Sequence, residues 1–140
     1  MKNLTLIIAL LIGLQVSAQK KGDSKALIQL ESKEAAFTKA VSILAQEGFS
    51  MQVVEKDAGV ISTQSKGAKR FQSKYNVFIS DTGLITLTGL MTIGDITLNG
   101  ITDNSWGKIE NKGMKGSPIR LSWEELVNIA QQMGSDVIYE

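Results

Sequence analysis

Lys66, Lys69, Arg70 and Lys74 cluster in the sequence beside the aromatic residues Phe71 and Tyr75. Basic side chains gathered in this way can hold an anion such as a lipid headgroup or a polysaccharide carboxylate. Further along, Trp106 lies in a glycine-rich stretch with Lys108, Lys112 and Lys115 nearby. An indole among small residues can stack on a sugar or seat itself in a partner's pocket. Lys66, Lys69, Arg70, Lys74, Trp106 and Lys108 are therefore the candidate binding residues. Each also has a plainer account: a solvated basic loop with its aromatics turned inward, and a tryptophan that pins a long loop to the core. A third feature is Asp81-Thr82-Gly83, which follows an apolar run. Hydrolysis by aspartates that share a proton needs two such carboxylates. The chain carries one copy, so a homodimer would have to supply the other. The same triplet also suits a hairpin turn.

Asp-Thr-Gly resembles the signature of the retroviral-type aspartic proteases. Leu84 stands where that family has Ala or Ser. The family's later apolar–apolar–glycine element has loose counterparts in Leu87-Thr88-Gly89 and Thr92-Ile93-Gly94. Other chemistries are removed by composition. There is no histidine and no cysteine, so serine–histidine and cysteine–histidine catalysis are excluded and ordinary zinc or copper sites lose their usual ligands. Glu31/Glu34 and Glu124/Glu125 read as first-turn and capping residues, and the run KGMKGSP lacks the spacing of a phosphate-binding loop. No catalytic residue, metal site or cofactor is expected.

The N-terminus carries an address. Lys2 precedes an apolar core at Leu4–Leu14, and Val16-Ser17-Ala18 places small residues before Gln19. This is the pattern of a secretory leader covering 1–18, cut before Gln19. Its apolar run is shorter than the roughly 20 residues a membrane span needs. With no cysteine there is no lipid attachment at the cut, so the mature chain is expected to be soluble, periplasmic or extracellular. Removing Lys2 leaves 14 basic and 14 acidic residues. That balance gives no long-range field toward nucleic acid.

The remaining elements must position these residues. Residues 19–24 are polar and predicted to be a disordered start, followed by one domain over 25–140. Ala26–Glu31 reads as a strand. Phe37, Ala40, Val41, Leu44 and Ala45 recur at helical spacing within 32–47, with Ser32 as N-cap. The period then drops to two at Phe49, Met51 and Val53; Lys56–Gly59 supplies a turn, and Val60–Gln64 a return strand. Tyr75–Ser80 and Leu84–Ile93 flank Asp81-Thr82-Gly83 as a hairpin. In its second arm threonines alternate with Ile85, Leu87 and Met91, which predicts one covered and one polar face. Residues 94–118 are irregular and glycine-rich, with Ile96–Leu98 as a short strand. A last helix is read at about 123–133, with Ser122 as N-cap, Glu125 completing a capping box and Leu121 and Leu126 forming a hydrophobic staple. The tail at 136–140 suits a short edge strand. The expected fold is α+β: an antiparallel sheet of four to six strands with two helices, about 32–47 and 123–133, packed on one face.

The stretch AFTKAVSILAQEGFSMQVVEKDAGVISTQ, with Gly48, Phe49, Asp57, Gly59 and Ile61, resembles small exported envelope domains with a TATA-binding-protein-like, BamC-like helix-on-sheet fold. The resemblance spans 26–93 and implies an accessory role in the cell envelope through binding. The expected function is non-enzymatic: protein–protein interaction with another envelope protein, through a sheet face, a sheet edge or the 94–118 region. Two alternatives are carriage of a small apolar or anionic ligand in a helix–sheet groove, and a homodimeric aspartic protease built on Asp81.

Overall fold

Helical spacing before and after a block of period-two alternation sorts the apolar residues onto one side of every element, and that sorting dictates a two-layer fold. The computed structural model describes residues 18–67, 70–94, 96–99, 101–103 and 105–140, with 96–98 and 101–103 described in backbone only. Apart from Ala18, the expected leader lies outside the described residues.

The elements are β1 (Ala26–Gln29), α1 (Lys33–Gln46), β2 (Met51–Glu55), β3 (Val60–Thr63), β4 (Lys66–Gly67), β5 (Gln72–Ile79), β6 (Leu84–Thr92), β7 (Ile96–Leu98), β8 (Ile101–Asp103), β9 (Gly107–Lys108), α2 (Pro118–Met133) and β10 (Val137–Tyr139). Eight strands form one sheet in the order β10–β1–β6–β5–β3–β2, with β4 on β5 and β9 on β6. Every pairing in it is antiparallel. β7 and β8 pair separately. The fold is α+β, as the sequence predicts, but eight strands exceed the expected four to six. The extra ones are short. β4 continues the row of β3 along β5, and β9 continues the row of β1 along β6. A two-residue strand leaves no alternation to read.

Both helices cover one face of the sheet. Ala36, Phe37, Ala40, Ile43 and Leu44 of α1, and Trp123, Leu126, Ile129, Ala130 and Met133 of α2, bury against Ile28, Ile61, Tyr75, Val77, Ile79, Ile85 and Leu87. Ser32 caps α1, its side chain accepting from Ala35 N–H at 3.1 Å. Gly59, at φ +68°, turns β2 into β3. A Cβ there would lie 2.2 Å from the Ile79 carbonyl oxygen, so conformation and space both require glycine.

The start of α2 corrects the sequence reading. The helix begins at Pro118, with Ser117 as N-cap accepting from Arg120 N–H at 3.2 Å. Proline suits the first helical position because its missing N–H would have no helical partner there. Ser122 lies inside the helix, fully buried, and donates to the Ile119 carbonyl at 2.8 Å. The Ser-x-x-Glu spacing at 122–125 is therefore no capping box. Gly134 ends the helix in extended backbone, where a Cβ would meet Ile28 Cγ2 at 2.4 Å; close packing, and no left-handed turn, is what asks for glycine.

The segment read as a disordered start is held by hydrogen bonds. Gly22 N–H donates to Asn111 O at 2.9 Å and Asn111 N–H donates to Asp23 O at 2.7 Å, while Ser24 and Lys25 N–H both reach Glu140 O. The tail pairs as foreseen, with Ala26 opposite Tyr139.

Candidate binding surface

Antiparallel register puts directly opposed residues on the same face. The row Ile61–Val77–Leu87–Ala26 looks toward the helices and is fully buried. The adjacent row Val60–Phe78–Thr86–Leu27–Ile138 looks the other way. Neither helix covers that second face. Phe78 and Ile138 are 55% and 52% exposed, while Val60, Thr86 and Leu27 are half-buried. The threonine alternation predicts a polar face; Thr86 and Thr88 stand half-buried on it, but Thr92 is buried, and Phe78, Val60, Leu27 and Ile138 make the row across the sheet largely apolar. Phe78 was legible as an outward residue, since Tyr75, Val77 and Ile79 alternate inward. The row itself was not, because it forms only when the register of five strands is known.

The candidate basic residues are dispersed. Lys66 sits over the Phe49 ring, 5.1 Å from its centroid, and donates to the Glu47 carbonyl at the end of α1. Arg70 donates to Gly116 O at 2.6 Å, tying the start of β5 to the loop before α2. Lys69 lies outside the described residues. Lys74, Trp106 and Lys108 do come together. Lys74 and Lys108 flank Leu90 across β5, β6 and β9 on the uncovered face, and Lys74 Nζ stands 4.3 Å from the Trp106 ring centroid. Trp106 is half-buried, with a lysine already on its ring.

Asp81 occupies the hairpin turn between β5 and β6, where Gly83 N–H donates to Ser80 O at 3.1 Å. Its side chain is 95% exposed and pairs with Lys33 Nζ at 3.1 Å. The same lysine also donates to Asp57 O. A solvated, ion-paired carboxylate has the ordinary environment of a turn aspartate.

The polar centre between α2 and the sheet carries no local sequence signal. Tyr75 is fully buried, stacked edge-on to Phe49 with centroids 5.2 Å apart. Its hydroxyl donates to Glu125 Oε1 at 2.7 Å, and Ser73 Oγ donates to the same oxygen at 2.5 Å. Glu125 is thus a structural acceptor for two core hydroxyls. Burial, and next the Glu125 carboxylate, push the Tyr75 hydroxyl well above its ordinary pKa. Burial also raises Tyr139.

Two clefts lie off the uncovered face. One, of about 280 Å³, is lined by Lys33, Glu34, Lys56 and Asp57, whose charges include the Lys56–Glu34 pair at 3.3 Å. The other, of about 660 Å³, is lined by Gln19, Lys21, Asn111, Lys112, Gly113, Met114 and Arg120. Arg120 is engaged within it, donating to Asn111 Oδ1 at 2.6 Å and to Gly113 O. Among the described residues no group of three or more acidic side chains is placed to hold a metal. Among them, too, no helix is long and apolar enough to cross a membrane.

No protein-family model matches this chain, and no curated protein matches its sequence.

Proposed function

We propose that this protein is an exported, non-enzymatic accessory domain of the cell envelope that binds another protein on its uncovered sheet face. The observation carrying this reading is the apolar row Val60–Phe78–Thr86–Leu27–Ile138 with Phe78 more than half exposed. An exposed aromatic in a largely apolar row, with the polar pair Asn76–Thr88 and then Lys74 and Lys108 farther along the same face, has the make-up of a protein contact with an apolar centre and polar surroundings. The leader-like sequence at 1–18 and the resemblance of 26–93 to BamC-like envelope domains support the location.

The test is a photoreactive phenylalanine analogue at position 78, with a control at exposed Lys39 on α1, expressed in cells and irradiated. A discrete adduct from position 78 and none from position 39 is expected. Equal labelling from both, or none from 78, refutes the assignment of this face. Carriage of an anionic ligand is the second reading, favoured by the basic cleft of about 660 Å³, a size within the usual range for small-ligand sites. Extra mass retained in native spectra would support it. The exposed, ion-paired Asp81 gives the protease reading no support.

A further inference from the structure

We propose that Gln19 becomes the first residue once the leader is removed and then closes to pyroglutamate, and that the folded protein promotes the closure through Trp123. The proposal rests on the export reading above.

In the reaction the α-amino nitrogen of Gln19 attacks Cδ of its own carboxamide. A C–N bond forms, the bond from Cδ to Nε2 breaks, and Nε2 leaves as ammonia with the proton given up by the amine. No oxidant, reductant or second substrate takes part. Two features of the structure favour this step. The Gln19 carboxamide oxygen accepts a hydrogen bond from Trp123 Nε1 at 2.9 Å. Trp123 is 1% exposed, so the donor is fixed in the core rather than free to wander. A fixed N–H on that oxygen stabilises the negative charge it gains as the amine adds.

Charge is the other feature. Gln19 lines the same cleft as Lys21, Lys112 and Arg120. Like charges disfavour the protonated amine and leave more of the neutral nucleophile. Asp23 Oδ2 accepts from the neutral Lys20 N–H at 2.6 Å, and Glu110 pairs with Lys112 at 3.1 Å, so among the described residues Lys21 and Arg120 are the cleft's cations that no carboxylate pairs. The following residues stay anchored throughout, because Asn111 Nδ2 donates to Lys20 O at 2.8 Å and Gly22 N–H donates to Asn111 O. The product keeps a carbonyl oxygen able to accept from Trp123. It also removes one positive charge from a basic cleft and leaves a terminus that aminopeptidases cannot start on.

The precursor is expressed with its leader in an exporting host, and the mature protein is examined by intact mass and by sequencing its N-terminal peptide. The expected product starts at residue 19 and lacks one ammonia. A different first residue overturns the cleavage reading. A chain that starts at Gln19 and keeps its amine through long incubation overturns the cyclisation. The role of the fold is measured separately on chain 19–140 freed at Gln19 by a site-specific protease. Every hydrogen bond described here lies within those residues. Ammonia loss at the N-terminal peptide should be several-fold faster in buffer than in concentrated urea, and equal or slower loss in the folded state overturns the assistance by Trp123. Because the protease sets the terminus, this second arm answers whichever residue the exported protein begins with.

Discussion

Replacing Glu125 by alanine should destabilise the protein more than removing the Tyr75 hydroxyl, although Glu125 is only half-buried and Tyr75 is fully buried. Glu125 Oε1 accepts from both Ser73 Oγ and Tyr75 OH. Ser73 is 1% exposed and Tyr75 0%, so neither hydroxyl can turn to bulk water when the carboxylate goes. A buried donor left without its partner costs about 1–3 kcal/mol. Glu125→Ala orphans two of them, for about 2–6 kcal/mol, against a few tenths regained from alanine's helix propensity. Tyr75→Phe removes one hydroxyl and leaves Glu125 with Ser73 and solvent, for about 1 kcal/mol. At this chain length 1 kcal/mol corresponds to roughly 3–5 °C in Tm. Urea unfolding of both single variants and the double variant, followed by tryptophan fluorescence and far-UV circular dichroism, provides the cycle. The two changes should couple by about 0.5–2 kcal/mol, because Tyr75→Phe removes one of the groups that Glu125→Ala strands. Additivity within about 0.5 kcal/mol, or a Glu125→Ala variant no weaker than Tyr75→Phe, would refute the reasoning.

Stability should fall as the pH rises past 10. The Tyr75 hydroxyl is raised from its ordinary value of 10.0, so above that pH the unfolded chain releases a proton that the folded one still holds. The contribution is complete below pH 10, and Tyr75→Phe should flatten the alkaline slope more than Tyr139→Phe, as unfolding at stepped pH would show. Ser117→Ala should cost about 1 kcal/mol through loss of the α2 cap. Ser122→Ala should cost less, since its bond lies inside the helix; denaturant midpoints that rank the two the other way would move the helix start back to Ser122. Gly59→Ala should cost about 1–2 kcal/mol for the left-handed backbone alone, with the clash on Ile79 O added, and a thermal melt within a degree of wild type would contradict it. Phe78→Ser should leave the denaturant midpoint within about 0.5 kcal/mol of wild type while abolishing any complex formed through the sheet face.

The parts of the fold legible in the sequence are those in which one element carries its own signal. The helix at 33–46 announced itself by Phe37, Ala40 and Leu44 with Ser32 ahead of them, and the β5–β6 hairpin by alternation around Asp81-Thr82-Gly83. The start of α2 is masked in the sequence because Ser122 and Glu125 stand at capping spacing, while the true cap, Ser117, is part of a Ser-Pro pair with no acidic residue in the first turn after it. The role of Glu125 was hidden for a related reason: nothing local to residue 125 indicates that Ser73 and Tyr75 arrive beside it from the far side of the core. The binding surface is a property of register. Lys66, Arg70 and Lys74 look like one patch along the chain, but strand pairing turns Lys74 onto the uncovered face while Lys66 returns to α1 and Arg70 crosses to Gly116.

The pairing of the first strand with the last governs when this molecule can finish folding. β1 lies between β6 and β10, and its register sets Ala26 against both Leu87 and Tyr139. The β2–β3 and β5–β6 hairpins need only short loops to close and can form early. β1 needs most of the chain before its first neighbour exists and the final residues before its second. Long-range pairing of this kind slows folding because the entropy of closing the loop is lost before any contact repays it. An emerging N-terminal portion therefore stays open and threadable, and truncation after Gly134 would leave β1 as a raw edge ready to recruit a strand from another chain.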